Sequence, residues 1–327
     1  MKKRFYIYSN GTLKKQDNSL VFIRGESKKY IPIYQIEMLF IFGSCSFNKE
    51  VLNLFGQNQI AVYFFNYYGN YIGSFQPKEV KCGKELIEQV NAYNDEKRRN
   101  SIIKINIYSS SKNILSLLKY YNKKYQILDS DISLINELIN NIDEETESNK
   151  FLIKEAEIKK NYYSCFNKII KNNDFIFNGR STNPPLDEIN AIMSFGYAIL
   201  YSIVENVIYR SGLEPSISYV HGISKKENKL QYDIADILKP IIVDRLIFRI
   251  INKNQLKKEM FEKKNNGIYL KRDGCEMFIK EFESLLEQTI EVSNKKISYR
   301  NLISLEVHKL KQHITSLKKY SPFIMSW

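Results

Sequence analysis

Over the first quarter of the chain, short apolar runs rich in β-branched and aromatic residues alternate with small polar clusters. The runs are Phe5-Tyr6-Ile7-Tyr8, Leu20-Val21-Phe22-Ile23, Met38-Leu39-Phe40-Ile41-Phe42 and Ile60-Ala61-Val62-Tyr63-Phe64-Phe65. Side chains of these types suit a pleated, half-buried surface, so each run predicts a strand. The clusters between them, Ser9-Asn10-Gly11, Gln16-Asp17-Asn18, Gly43-Ser44 and Tyr68-Gly69-Asn70, are turn formers. One short helix is predicted at 48–55, with Asn48 as its N-cap and Glu50 complementing the positive end of the helix dipole. Near Gln76-Pro77-Lys78-Glu79 the pattern changes, and apolar residues thereafter recur three and four apart over long stretches. That period predicts helices at 85–108, 111–125, 131–142, 151–172, 186–211, 231–252, 274–288 and 299–319. The fold class is therefore α+β: a small N-terminal β-rich domain at 1–76, a hinge at 77–85 and a larger all-α domain at 86–327.

A length of 327 residues accommodates two domains with full cores. Hydrophobic residues at 43% and charged residues at 26% place the chain among globular proteins. The stretch 191–209 is long enough to cross a membrane, but Ser194, Gly196, Ser202, Glu205 and Asn206 interrupt it, and a buried core helix is expected. The N-terminus lacks the apolar segment of a secretory signal. Cys45, Cys82, Cys165 and Cys275 are scattered without a C-x-x-C pair, which argues against a disulfide framework or thiolate zinc site and fits a reducing, cytoplasmic setting.

The formal charge of +13 favours a polyanionic partner, nucleic acid ahead of an anionic membrane, although a general bias toward Lys, Asn and Ile would produce the same excess. Paired cations such as Lys159-Lys160, Lys225-Lys226 and Lys263-Lys264 could follow a phosphate backbone or simply solvate helix surfaces. Arg98-Arg99 and Arg180 are sharper candidates, because guanidinium offers bidentate phosphate contacts. The acidic stretch 143–149 and the turn 263–267 carry no assigned chemistry.

Candidate chemistry concentrates between Gly212 and Pro240. A proline-marked loop carries His221 before Gly222, and Asp233 and Asp236 follow one helical turn apart on one face of a predicted helix. Imidazole with carboxylates suits a hard or borderline divalent cation. A bland reading stands beside each of these. Helical carboxylates are commonly solvated, and Glu155 could merely pair with Lys159 four residues on. Asp236, however, lies among Ile234, Ala235, Ile237 and Leu238, and a carboxylate in such surroundings needs a counterion. Asp244-Arg245 reads as a structural ion pair, and His308 and His313 as surface or phosphate-contact residues.

The segment from Arg180-Ser181-Thr182-Asn183-Pro184-Pro185 through the histidine loop resembles the CRISPR-associated integrase of the Cas-one family. So do Phe64-Phe65-Asn66-Tyr67-Tyr68-Gly69 and Tyr320-Ser321-Pro322-Phe323, and the likeness is greatest to its type I-B branch. The resemblance spans nearly the whole chain and implies the same division into a β domain and a helical domain. It implies a metal site of Glu155, His221 and Asp236, with Asp233 in support, binding magnesium or manganese. Ala156 and Ser218 stand where the family commonly has glycine. The first departure leaves Glu157 as an alternative to Glu155, although the spacing to Tyr162 and Tyr163 favours Glu155.

By the same resemblance the protein is a metal-dependent DNA endonuclease and integrase that adds spacers at the leader-repeat boundary. It would act as a homodimer, through its β domain, together with the Cas-two partner. Arg180, Tyr162 and Tyr163 are the residues expected near DNA. A non-catalytic DNA-binding scaffold and a general metal-dependent repair nuclease are the competing functions.

Overall fold

The structure is a computed structural model that describes residues 2–78, 83–142, 147–225, 227–316 and 318–327. The hinge 77–85, the acidic stretch 143–149 and the pair Lys225-Lys226 lie in part outside the described residues. The chain divides into two compact units, Met1–Val80 and Lys81–Trp327.

The first unit is β-rich. Its strands are β1 (Lys3–Ile7), β2 (Gly11–Gln16), β3 (Ser19–Arg24), β4 (Ser27–Pro32), β5 (Ile36–Ile41), β6 (Cys45–Phe47), β7 (Ala61–Phe65) and β8 (Tyr71–Phe75), with helix α1 (Lys49–Gln57) between β6 and β7. One sheet has the order β1-β5-β7-β8 and the other β4-β3-β2-β6. In the first, β1, β5 and β7 run parallel and β8 returns antiparallel; in the second, β2, β3 and β4 form a meander and β6 joins parallel to β2. Leu13, Leu20, Ile36, Leu39, Val51 and Phe55 form the centre of the core. Asn48 caps α1 as expected, its Oδ1 accepting from the Val51 N–H at 3.2 Å.

The four predicted strands are present, but β2, β4, β6 and β8 are additional. These have little apolar alternation of their own. Ser27, Lys28, Lys29 and Tyr30 of β4 are all exposed, and the strand is held by backbone pairing to β3.

The second unit begins with α2 (Gly83–Asn94), α3 (Glu96–Tyr125), α4 (Asp129–Asn140), α5 (Ser148–Ser164) and the single turn α6 (Phe166–Ile169). It continues with α7 (Glu188–Ser211), α8 (Leu230–Lys239) and α9 (Arg245–Asn252), and it ends with α10 (Arg272–Leu286) and α11 (Tyr299–Ser316). The first helical break falls at Asp95, not between 108 and 111, because the Asp95 carboxylate caps α3 by accepting from the Arg98 N–H at 3.1 Å. Ser109, Ser110 and Ser111 are buried inside α3, where small side chains let neighbouring helices approach.

Helix α7 is the core helix that its interruptions predicted. Among the described residues it alone is long and apolar enough to cross a membrane, and 78% of its most apolar window is buried inside the protein. Asp187 caps its start, accepting from the Asn190 N–H at 2.7 Å, and Gly212 ends it at φ 83°, a left-handed conformation that favours glycine. Packing across α7 is close. A Cβ at Gly196 would stand 2.7 Å from the Phe278 ring and 2.8 Å from Val243.

Two further expectations for this unit need correction. The continuous helix read at 231–252 is interrupted by a π-helical segment at Pro240–Asp244. Pro240 has no N–H to donate and its ring crowds the preceding turn, so the regular ladder cannot pass through it. The unit is also not purely helical. Strands β9 (Phe261–Lys264) and β10 (Gly267–Leu270) form one antiparallel hairpin, and β11 (Thr289–Val292) and β12 (Lys295–Ser298) another. Their tips, Asn265-Asn266 and Ser293-Asn294, take positive φ at both positions, which is the geometry of a tight two-residue hairpin turn.

Candidate active site

Asp233 organises the site. It lies in the first turn of α8, 2% exposed, and the loop after α7 wraps its carboxylate. Oδ2 accepts from the backbone N–H groups of Tyr219 at 2.7 Å and Val220 at 3.1 Å. Oδ1 accepts from the Ser218 hydroxyl at 2.8 Å and the His221 N–H at 3.2 Å, and meets the His221 ring at Nδ1, 2.8 Å away. Ser218, one of the departures from the resembled family, thus uses its hydroxyl to fix the loop, and that oxygen also accepts from the His221 N–H at 3.1 Å. Further back, Gln89 of α2 clamps the loop through Glu214 and Ile217. Asn106 and Asn113 of α3 hold α8 by donating to the carbonyls of Asp233 and Ile237, each at 2.8 Å.

With Nδ1 hydrogen-bonded to Asp233, His221 turns Nε2 toward Asp236, whose Oδ2 is 3.7 Å away. Asp236 is 4% exposed and accepts from two ammonium groups, Lys159 at 2.9 Å through Oδ2 and Lys239 through Oδ1. Lys159 also reaches Glu155 Oε1 at 2.8 Å. A single ammonium therefore links the carboxylates of α5 and α8, and Glu155, His221 and Asp236 share one neighbourhood. Glu157, the alternative left by the sequence, pairs instead with Lys154 at 3.2 Å on a half-exposed part of α5.

The electrostatics follow from this crowding. Burial would push the Asp236 carboxyl up, but Lys159, Lys239 and His221 outweigh it and hold the group well below the usual carboxylate range. Burial would likewise lower the His221 imidazole, yet its hydrogen bond to Asp233 and the charge of Asp236 leave it raised.

Among the described residues, no three His, Cys, Asp or Glu side chains already close around one point as a metal shell. The donor types nevertheless fit a divalent cation. They are one imidazole nitrogen and two carboxylates, and the bridging Lys159 ammonium marks a position where both carboxylates already receive positive charge.

Beside this cluster is a cleft of about 600 Å³ lined by Lys159, Lys160, Tyr163, Asn167 and Arg180 among others. Arg180 is held by the Ser181 carbonyl at 2.6 Å, Asn190 Oδ1 at 2.9 Å and the Ser194 hydroxyl at 3.2 Å, with its guanidinium over the Tyr197 ring. Tyr163 borders the cleft as a DNA contact would require. Tyr162 does not, because it is 2% exposed and its hydroxyl donates to Asp244. Arg98 is likewise committed within the protein, donating to the Ile314 carbonyl at 2.9 Å.

Asp244 corrects the expected ion pair with Arg245. The π-helical segment carries it into the interior, where its two oxygens accept from Tyr197 at 2.6 Å and Tyr162 at 2.7 Å. Arg245 turns elsewhere, to the Tyr299 hydroxyl at 2.7 Å and the face of Trp327. Burial pushes the Asp244 carboxyl up to about 6, against the opposing pull of the two tyrosines. Because the folded pKa exceeds the unfolded one, the folded state holds the extra proton between about pH 4 and pH 6, and stability falls as pH rises through that window. Asp244→Asn, which removes the titrating group, is expected to flatten this dependence, although its amide can accept from only one of the two tyrosines. Urea unfolding of both proteins at pH 4.5 and 7.5 measures it.

Sequence reasoning passed over Lys239, and it read Lys159 only as a partner for Glu155 or a backbone-tracking cation, not as a bridge to Asp236. Their signals were present, since Lys159 lies four residues after Glu155 and Lys239 three after Asp236, but such spacing commonly marks a solvated pair.

The comparisons agree with this architecture. The family model described as CRISPR associated protein Cas1 matches residues 5–284. The CRISPR-associated endonuclease Cas1 2 of Thermodesulfovibrio yellowstonii is 37% identical over 330 residues, covering 100% of both chains. The corresponding endonuclease of Fusobacterium nucleatum is 38% identical over 331 residues, covering 100% of this chain and 98% of its own. Among solved structures, the Cas1 protein of Thermotoga maritima aligns with a TM-score of 0.88 at 28% identity, over 97% of this chain and 98% of that one. A casposase bound to integration product shares the fold at a TM-score of 0.89 and 19% identity, over 100% and 95% of the two chains.

Fold and relatives together define the class as that of the CRISPR-associated proteins. Within it, the chain belongs to the Cas1 family.

Proposed function

We propose that this protein is a divalent-metal-dependent DNA endonuclease and integrase of CRISPR adaptation, inserting short DNA fragments as new spacers at the leader-repeat boundary. The observation that carries the reading is the run of contacts joining Glu155 to Asp236 through Lys159, and Asp236 to His221, beside a cleft lined by Lys159, Lys160 and Arg180. Glu155, His221 Nε2 and Asp236 would hold magnesium or manganese, the latter better suited to an imidazole ligand. When bound, the ion polarises the scissile phosphate and lowers the pKa of the attacking hydroxyl.

The protein's own groups supply the rest. Asp233 fixes the His221 tautomer and aims Nε2. Lys160 and Arg180 offset the charge of a strand lying in the cleft, and Tyr163 offers a ring face at its wall. A 3′-hydroxyl of the fragment attacks a repeat-boundary phosphodiester, forming one P–O bond and releasing the leader strand's 3′-hydroxyl. Water in place of that hydroxyl gives hydrolysis at the same centre.

Two strands are attacked at separated positions, so two copies of the site are required and the working unit is a homodimer. The β-rich unit offers the edge strands β4 and β8 for that contact. A Cas6-RT-Cas1–Cas2 complex contains a chain of this fold, with a TM-score of 0.86 at 17% identity over 99% of this chain, which supports the Cas2 protein as partner. The free Cys45, Cys165 and Cys275 suit the reducing cytoplasm where such a reaction takes place.

The test is fragment joining. With manganese and the Cas2 partner, the protein is expected to link a short duplex bearing free 3′-hydroxyls to a supercoiled plasmid carrying a repeat array. A fragment ending in 2′,3′-dideoxynucleotides is expected to yield no product. A folded protein that joins neither fragment refutes the integrase reading.

A further inference from the structure

We propose that Lys159 is a displaceable internal cation that couples metal binding to DNA binding. Its ammonium neutralises Glu155 and Asp236 in the resting protein and transfers to a backbone phosphate in the adjoining cleft when a divalent ion takes its place. The inference rests on the reading of this site as a metal centre.

The argument begins with which oxygen each cation uses. Lys239 holds Asp236 Oδ1, whereas Lys159 holds Oδ2, and Oδ2 is also the oxygen facing His221 Nε2 at 3.7 Å. An ion joining His221 to Asp236 must therefore use the oxygen that Lys159 occupies. The same ammonium is 2.8 Å from Glu155, so it stands between the two carboxylates that the ion would bridge. Divalent ion and ammonium cannot share that position.

The two lysines differ in their freedom to leave. Lys239 has a side chain 17% exposed, with its ammonium 4.9 Å from the centre of the Tyr197 ring and 4.8 Å from that of Tyr201. These ring faces keep it as the permanent counterion of Asp236. The Lys159 side chain is 31% exposed and already borders the cleft that Lys160, Tyr163 and Arg180 line. Its flexible four-carbon stem allows the ammonium to leave the carboxylates without movement of α5. Once displaced, it needs an anion, and a strand in the cleft provides phosphates. Linkage then requires DNA to tighten metal binding by the factor with which metal tightens DNA binding.

The experiment measures Mn2+ affinity by titration calorimetry, without and with a short single-stranded DNA that carries phosphorothioate linkages and a 3′-dideoxy end, which resists hydrolysis and lacks the joining nucleophile while keeping the backbone charge. For the wild type, DNA is expected to tighten Mn2+ binding about fivefold or more. Lys159→Gln is expected to bind Mn2+ about fivefold or more tightly than wild type without DNA, and to lose a similar factor from the coupling. A phosphate that touched the ion directly would leave an equal residual coupling in both proteins. Lys159→Arg, which keeps the charge, should resemble wild type. Lys160→Gln should weaken DNA binding and leave the DNA-free Mn2+ affinity unchanged. Lys159→Ala repeats the measurement if the Gln variant does not fold.

Unchanged DNA-free affinity in the folded Lys159→Gln or Lys159→Ala protein would overturn the inference. His221→Ala separates the two levels. If it abolishes Mn2+ binding while Lys159→Gln matches wild type, only the role of Lys159 fails; if it binds as wild type does, the metal reading fails and this inference with it.

Discussion

His221→Ala is expected to lose roughly a hundredfold or more of both DNA cleavage and fragment joining while keeping its fold. The imidazole is the one nitrogen donor of the cluster, and no neighbouring residue can supply Nε2 in its place. Its loss costs little structure. The Asp233 carboxylate retains the backbone N–H groups of Tyr219, Val220 and residue 221 and the Ser218 hydroxyl, so the loop stays anchored. Cleavage of branched and single-stranded DNA with manganese, read beside a thermal melt, decides the matter. Cleavage at the wild-type rate would remove this residue from the mechanism.

Asp236→Asn should also abolish activity, but with a second effect that His221→Ala lacks. The Asp236 carboxylate is buried and balances both Lys159 and Lys239. A neutral amide leaves Lys239 charged, largely enclosed and without its carboxylate, and breaking a buried ion pair from one side costs at most about 3–5 kcal/mol. Lys159 softens the loss only in part, since it can turn to Glu155 or to solvent. The pH dependence has a definite sign. Because the folded-state pKa is depressed, the stabilisation is complete above the ordinary carboxylate range and is lost as pH falls through the folded value. Urea denaturation should therefore show wild type well above Asp236→Asn at pH 7, with the gap narrowing in strong acid. Equal stability at pH 7 would mean that the lysines do not depend on this carboxylate.

The sequence was informative where side chains alone decide the structure. Aromatic strands with buried faces, such as Met38 to Ile41, declared themselves through apolar content, and so did the division between a β-rich and a helical unit. Strands such as β4 stayed hidden because a lysine-rich segment is recruited by the ladder of its neighbour, not by its own pattern. The hairpins β9–β10 and β11–β12 were obscured by length, since four-residue strands carry almost no periodic signal beyond their turn residues. At the site, His221 in its proline-marked loop and the spacing of Asp233 and Asp236 on a shared helical face were visible in the residues themselves, whereas Glu155 was singled out by family resemblance. What no linear reading supplied was the reach of Lys159 across from α5 to α8, because that contact joins residues 77 positions apart.

The π-helical segment at Pro240–Asp244 separates two helical phases within one rod. Each residue of an α-helix advances about 100° around the axis, so removing one residue there would swing all of α9 through that angle while leaving Asp236 where it is. Asp244 would then turn from Tyr162 and Tyr197, and a different side chain would face the interior. The segment consequently acts as an angular spacer, setting the carboxylate that binds tyrosines independently of the carboxylate that faces His221. Length changes in homologues should be rare at this turn, even where the residues themselves vary freely.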